Sequence, residues 1–222
     1  NKGLPYPADP PKVEEIIGWF RDKPLEFVPG EKMAYSNSGY LLLGFVIEKV
    51  SGQTYAQFVQ ENIFTPLGMS DSGYDSNSAI IERRASGYTS GPNGIVNAEY
   101  VSMTIPHAAG ALYSTTEDLL RWQRGLYGNK LIAADAVRRM TTPFKNDYAY
   151  GLAVPQGKRK VYQHGGGIEG FNTQLSFYPE SGVNVAALGN LNGAAPSEIV
   201  GRLGALAHGD SVTLKSERKE IT

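Results

Sequence analysis

The sequence predicts an α+β fold, with helices first and an antiparallel sheet covered by a final helix afterwards. In the first two thirds of the chain, apolar residues recur at the spacing of amphipathic helices. In the last third, apolar and polar residues alternate, as they do in half-buried strands. One more helical segment follows these strands. Helices and strands are therefore segregated along the chain, which is typical of the α+β class.

The helical part begins with a short amphipathic segment and a long apolar one. The first has apolar side chains at positions i, i+3, i+4 and i+7, namely Val13, Ile16, Ile17 and Phe20. Residues 40–47 form the longest apolar run, which predicts a helix buried on most sides that ends at Gly52. Capping-box patterns at 54–57 and 114–117 predict two further helix starts. Between them, residues 70–110 are rich in Ser, Gly, Asn and Pro, which predicts long surface loops.

The last third predicts four strands, at residues 148–154, 158–162, 171–178 and 183–188. The third strand alternates apolar with polar residues, and the fourth is more apolar and therefore better buried. Between these two strands, residues 179–182 have the sequence Pro-Glu-Ser-Gly, which predicts a hairpin turn. Apolar residues at helical spacing over 197–207 predict the covering helix.

The composition argues against several kinds of protein. The chain has 222 residues and no cysteine, which excludes disulfide scaffolds, cysteine-ligated zinc and thiol catalysis. Its 21 Lys and Arg balance 22 Asp and Glu, so no overall charge favours binding to nucleic acid. No apolar run approaches the roughly 18 residues of a membrane span. His107 and His208 have no partner at metal-ligand spacing, so we predict no metal site.

Two local motifs suggest chemistry that their surroundings do not support. Residues 165–170 fit G-x-G-x-x-G, but a dinucleotide site needs a helix after the glycines, and here a strand is predicted. We therefore predict no cofactor. Residues 164–167 look like the oxyanion loop of lipases, yet no serine has glycine at both −2 and +2, as the nucleophile of that fold requires.

Four ordered segments carry a more specific signal. Residues 29–40 contain the Y-x-N triplet Tyr35-Ser36-Asn37, and residues 64–69, 110–119 and 164–166 follow it in order. Together they resemble the serine β-lactamase-like hydrolases, a family that includes class C β-lactamases, D,D-peptidases and family VIII esterases. The last segment, His164-Gly165-Gly166, is similar to the H-x-G version of the family's K-T-G motif.

The resemblance implies a β-lactamase/penicillin-binding-protein-like transpeptidase fold, an antiparallel sheet with flanking helices plus a helical lobe. It implies one domain over residues 1–215, in which the lobe takes about 5–142 and the sheet with its closing helix about 143–208. Residues 216–222 would form a linker or tail.

The same resemblance implies three catalytic residues. Tyr35 would move a proton between nucleophile, leaving group and water. Because the pKa of a free tyrosine is about 10, it needs a positive charge nearby to act as a base at neutral pH. Asn37 would bind the neighbouring lysine and the acyl side chain of the substrate. His164 would bind the tyrosine hydroxyl or a substrate carboxylate.

Further residues would bind the substrate. Gly166 and Gly167 would let its backbone lie close to the strand, with the Gly167 N–H as one oxyanion donor. Tyr113 would border the site, by resemblance. Tyr148 and Tyr150 could line the rim of the site, whereas we expect Trp122, on a helix face, to be part of the core.

The family's nucleophile is absent from its expected place. It is the serine of an S-x-x-K motif upstream of Y-x-N, but the only S-x-x-K here spans residues 216–219, in a charged tail. Residues 1–5 resemble a segment that follows S-x-x-K in relatives. We therefore expect the nucleophile helix and the N-terminal strands to precede residue 1. The chain alone should then be inactive, and should pair with an N-terminal fragment or self-associate.

The predicted function of the parent protein is a serine hydrolase that forms an acyl-serine. Its substrate would be a small molecule or peptide with an ester, a D-amino-acid amide or a β-lactam. The alternative is an inactive, truncated or regulatory binding module of the same fold. The absence of cysteine is compatible with a periplasmic or secreted location, and a cytoplasmic one stays open.

Overall fold

A computed structural model of the chain describes residues 11–76 and 78–212. It confirms the α+β order, with helices and loops first and a three-stranded antiparallel sheet with a covering helix last. The predictions for residues 1–5 and 216–222 lie outside the described residues.

The predicted helices form in the predicted order, and one further helix, over residues 134–140, was not predicted. The helices are α1 Val13–Gly18, α2 Asn37–Ser51, α3 Tyr55–Val59, α4 Thr65–Leu67, α5 Thr116–Tyr127, α6 Ala134–Met140 and α7 Ala195–Ala207. A π-helical turn, Gln60–Phe64, joins α3 to α4, and a 3-10 turn covers His107–Ala109. Over the described residues, no helix has the length and apolar character needed to cross a bilayer.

Capping side chains define three of these helix starts. Ser36 caps α2 and Thr54 caps α3, the latter in the predicted capping box with Gln57. The prediction at 114–117 is wrong by one residue, because Thr115 is the cap of α5 and its side chain accepts from the Asp118 N–H. The hydroxyl of Ser114 instead lies 2.7 Å from that of Ser72.

Helix α2 departs from its prediction. It ends at Gly52 as expected, with φ of 72°, a left-handed conformation that favours glycine. Its burial on most sides was predicted, and this is wrong: Leu41 and Gly44 are buried, but one apolar face is open. The side chains on that face are between 41% and 83% exposed, and they are Leu42, Leu43, Val46 and Val50.

The main sheet has the order β5-β6-β7, with β5 Tyr162–Ile168, β6 Phe171–Tyr178 and β7 Val183–Gly189. Two two-stranded pairs precede it in the chain: β1 Gly73–Tyr74 with β4 Leu112–Tyr113, and β2 Tyr88–Gly91 with β3 Gly94–Asn97. Within the described residues β7 pairs with β6 alone and is an edge strand. Helix α7 packs on β6 and β7.

The strands predicted at 148–154 and 158–162 are wrong. Only isolated bridges form there, from Tyr148 to Ala153 and from Ala153 to Gln163, and β5 begins at Tyr162. The backbone has positive φ at Asn146, Asp147 and Gly151, so it turns too often to remain extended.

Among the described residues, two clusters of buried apolar side chains form the core. One joins Val59, Phe64 and Met69, and Trp122 packs against it, which confirms its prediction as a core residue. The other joins Leu152, Val154 and Tyr162 beneath the sheet, with the stacked rings of Tyr127 and Phe177 beside it. The second cluster anchors the start of β5, the strand that carries His164.

Candidate active site

The start of α2 positions the Y-x-N triplet. Ser36 has extended backbone angles and its hydroxyl accepts from the Gly39 N–H at 3.1 Å, so the helix begins at Asn37. Tyr35 lies just before the cap. Its side chain is 55% exposed, and Asn37 is exposed as well. Both residues are therefore accessible from solvent.

The fold brings Tyr35 to His164. His164 lies on β5 opposite Leu175 of β6, and its ring is stacked on that of Tyr35 with centroids 6.0 Å apart. Its Nε2, however, lies 2.8 Å from the hydroxyl of a different tyrosine, Tyr148. Its Nδ1 lies 2.7 Å from the carbonyl oxygen of Gly165. The Tyr148 ring also meets Tyr35 edge-on, at 6.3 Å between centroids.

Tyr148 is the site residue that sequence reasoning gave least weight. It lies between the bends at Asn146–Asp147 and Gly151, in a segment predicted as a strand, so only its nearness to His164 in the fold reveals it. Burial, followed by the neighbouring Tyr40 and Tyr35, raises the pKa of Tyr148 to about 12. Burial and Tyr35 also raise the pKa of Tyr40. Tyr148 is therefore a protonated hydrogen-bond donor at neutral pH.

The raised tyrosine pKa values predict a loss of stability at alkaline pH. Burial raises the pKa of Tyr74 and Tyr127, like that of Tyr148, to about 12, whereas an unfolded tyrosine titrates near 10. The stability that these tyrosines contribute is fully present below pH 10 and is lost as the pH rises towards 12. Between these values the unfolded chain releases the phenolic protons, whereas the folded chain retains them. We expect urea midpoints to fall across that range, and a Tyr148→Phe variant to lack one late phenolate absorbance step. Ionisation of every tyrosine near pH 10 would contradict this.

Gly165, Gly166 and Gly167 leave an exposed strip along β5. A Cβ atom on Gly166 would lie 2.5 Å from Thr173 Oγ1, and one on Gly165 would lie 2.9 Å from Gln174 Oε1. The glycines thus make room for polar side chains of β6. Together they line a shallow, polar cleft that reaches the start of α7 at Pro196 and Ser197. The two glycines predicted to bind substrate, Gly166 and Gly167, lie in it.

Tyr113 lies elsewhere. It pairs with Gly73 in the short β1–β4 ladder, and its ring covers that glycine so closely that a Cβ there would lie 2.6 Å from its hydroxyl oxygen. It lines a second shallow cleft with Gln57 and Gln60. Its role as a substrate-binding residue stays a prediction.

A hydrogen bond between two loops helps to hold the site together. Lys145 Nζ donates to the Glu31 carbonyl at 2.7 Å, which links the loop before Tyr35 to the turn before Tyr148.

Across residues 11–76 and 78–212, no group of three or more His, Asp or Glu side chains could hold a metal ion.

A family model described as beta-lactamase matches residues 2–209, nearly the whole chain. The chain belongs to the β-lactamase family. Two findings agree with this. A penicillin-binding protein of Bacillus subtilis is 29% identical over 173 residues, which cover 68% of this chain and 38% of the relative. The octameric penicillin-binding protein homologue from Pyrococcus abyssi superimposes with a TM-score of 0.77 at 29% identity, over 90% of this chain and 48% of its own.

A D-stereospecific amidohydrolase from Streptomyces is also similar to this chain in structure. It has a TM-score of 0.73 at 28% identity and covers 83% of this chain and 57% of its own. These neighbours confirm the penicillin-binding-protein-like fold. This β-lactamase-family chain spans well under half the length of the Bacillus relative.

Proposed function

We propose that the parent protein is a serine hydrolase that forms an acyl-serine intermediate. The observation that carries the proposal is the meeting of Tyr35, His164 and Tyr148 beside the exposed glycine strip of β5. Acyl transfer needs a nucleophile, a group that takes its proton and donors for the oxyanion. This cluster would supply the second, and the Gly167 N–H is the proposed oxyanion donor.

The nucleophile and a positive charge would come from another segment of the parent. Within residues 11–76 and 78–212, Tyr35 contacts the rings of Tyr148 and His164, and no Lys or Arg lies over its ring. A tyrosine becomes a base at neutral pH only beside a positive charge. The lysine of an S-x-x-K segment would supply that charge, and its serine the nucleophile. Asn37, the first helical residue after the cap, would contact both the lysine and the substrate.

We assign the substrate to the amides and esters of D-amino acids. The Streptomyces relative is named a D-stereospecific amidohydrolase, and the Bacillus relative a penicillin-binding protein. His164 stands where most of the family has lysine. An imidazole lacks the permanent charge that holds a β-lactam carboxylate, which favours an amidase or esterase over an efficient β-lactamase.

The segment with the nucleophile would also complete the fold. Helix α2 exposes an apolar face, and β7 presents an unpaired edge within the described residues. Such surfaces attract a partner, since exposed apolar area and unpaired strand groups are both unfavourable in water. The parent's own N-terminal segment is the proposed partner. Self-association through the same surfaces is the competing outcome, as the octameric Pyrococcus homologue assembles from several copies.

The function is tested by acylation of the full-length parent. With a fluorescent penicillin and a D-amino-acid p-nitroanilide, we expect a labelled serine upstream of Tyr35 and measurable turnover. Tyr35→Phe should lower kcat by about 10²–10⁴-fold, the usual contribution of a proton-transfer residue. Tyr178→Phe is the matched control, because Tyr178 lies beside His208 under α7.

Three outcomes separate the possibilities. The 222-residue chain alone should give no covalent label, and a labelled serine within it would contradict the proposed division of the site. Full-length protein that binds penicillin without acylation would support the alternative of a binding module. Unchanged kcat in Tyr35→Phe would remove Tyr35 from the mechanism.

A further inference from the structure

The two nitrogen atoms of His164 have different partners, and these partners define its tautomer. Nδ1 lies 2.7 Å from the Gly165 carbonyl oxygen, which can only accept a hydrogen bond. Nδ1 must therefore carry the proton in that contact. In the neutral ring, Nε2 then has a free lone pair, and the Tyr148 hydroxyl at 2.8 Å donates to it.

We propose that Tyr148 is a positioning residue that holds His164 in the Nδ1-protonated tautomer and turns the face of its ring towards Tyr35. The stacking of the Tyr35 and His164 rings, at 29° between planes, agrees with this orientation. The catalytic meaning of the contact rests on the proposed hydrolase function. The contact itself is a property of this chain.

The surroundings of Tyr148 are built to hold its hydroxyl in place. Its N–H donates to the Lys145 carbonyl and its own carbonyl accepts from the Phe144 N–H, both at 2.9 Å. Its pKa is raised by burial, so the hydroxyl keeps the proton that it donates. Behind it lies Tyr40, which raises the pKa of Tyr148 further.

Gly151 makes the approach of Tyr40 possible. It has φ of 73°, and a Cβ atom there would lie 3.1 Å from the Tyr40 hydroxyl oxygen. Tyr40 on α2 therefore lies close behind Tyr148, whose hydroxyl donates to Nε2 of His164 on β5. Tyr148 thus lies between the two elements that carry the proposed catalytic residues.

The arrangement has a consequence for the reaction. Because Nε2 of His164 already accepts from Tyr148, it is not available to accept a proton from the Tyr35 hydroxyl. Tyr35 must then exchange its proton with the nucleophile segment and the substrate. His164 would act on Tyr35 through the contact between their rings. The orientation of the His164 ring would depend on its hydrogen bond with Tyr148.

Nitrogen NMR of the isotope-labelled 222-residue chain tests the assignment without catalysis. The chain has three histidines, and a His164→Gln variant identifies the signal of His164. We expect an Nδ1-protonated ring in the wild type. In Tyr148→Phe, the Nε2 signal should shift towards the protonated position and that of Nδ1 in the opposite direction. Tyr150→Phe, two residues away and 72% exposed, should leave both signals unchanged.

An Nε2-protonated His164 in the wild type would overturn the proposal, and so would unchanged signals in Tyr148→Phe. If that variant loses its dispersed spectrum, the wild-type tautomer still decides, together with Tyr40→Phe, which keeps the Tyr148 hydroxyl and should retain the tautomer. Failure of the parent to hydrolyse any substrate would remove the proposed function but would leave these signals as expected. The two failures are therefore distinguishable.

Discussion

Replacing Asp118 by alanine is expected to lower the free energy of unfolding by about 2–5 kcal/mol, the cost of losing the hydrogen bonds to its fully buried carboxylate. Asp118 is 0% exposed in the first turn of α5. Its Oδ2 accepts from the Asp71 N–H and from the Ser72 hydroxyl, both at 2.8 Å. Its Oδ1 accepts from Arg121. The carboxylate therefore ties the loop before β1 to α5.

Thermal unfolding of the chain measures this effect. For a protein of this size, the loss corresponds to a fall in Tm of roughly 10 °C. Asp135→Ala is the matched control, because Asp135 also lies in the first turn of a helix and also bonds an arginine three residues later, Arg138. Asp135 is exposed, so its removal should leave Tm nearly unchanged. Equal shifts in the two variants would show that burial of Asp118 contributes nothing.

Gly44→Ala is expected to destabilise the chain by about 1–3 kcal/mol, the cost of overpacking a filled core. A Cβ atom on Gly44 would lie 2.3 Å from the Cβ of Ala108 and 3.1 Å from His107 Nε2. The Ala108 Cβ is fixed to its backbone, so α2 and the 3-10 turn must move apart. The clash outweighs the gain of about 1 kcal/mol that alanine brings to a helix interior.

Gly201→Ala, which also introduces an alanine into a helix, is expected to have the opposite effect on stability. Gly201 lies in α7, and a Cβ atom there meets nothing within 4 Å outside the helix backbone. We expect the alanine to stabilise α7 by up to about 1 kcal/mol. Urea unfolding of both variants should therefore give midpoints that move in opposite directions. A Gly44→Ala midpoint at or above the wild-type value would show that the 3-10 turn yields without cost.

Local patterns predicted much of the fold because local forces decide those features. The order of helices and strands, the capping box at Thr54 and Gln57 and the end of α2 at Gly52 all depend on neighbouring residues. The β6–β7 hairpin is another example, since its turn residues and alternating strands are adjacent in the chain. The ordered motifs predicted the family by resemblance, and the match of the family model over residues 2–209 confirms that prediction.

Errors arose where distant segments decide the outcome. The apolar run in α2 predicted burial, but burial depends on what packs against each side, and the described residues cover only one. The turn before β5 has Tyr148 and Gly151 in a strand-like pattern, yet positive φ values at Asn146 and Asp147 bend it. The cap of α5 moved from Ser114 to Thr115.

By itself, the sequence determined the family, the order of elements and the positions of Tyr35, Asn37 and His164 at a helix start and on a strand, because these follow from short-range patterns and ordered motifs. Only the tertiary structure decided which groups meet. In the structure the ring of Tyr35 stacks on that of His164, but Nε2 of this histidine is bonded to the Tyr148 hydroxyl. Tyr113 lines a separate cleft. Hydrogen bonds between distant residues depend on angles and separations of a few ångströms, which side-chain spacing along the chain does not encode.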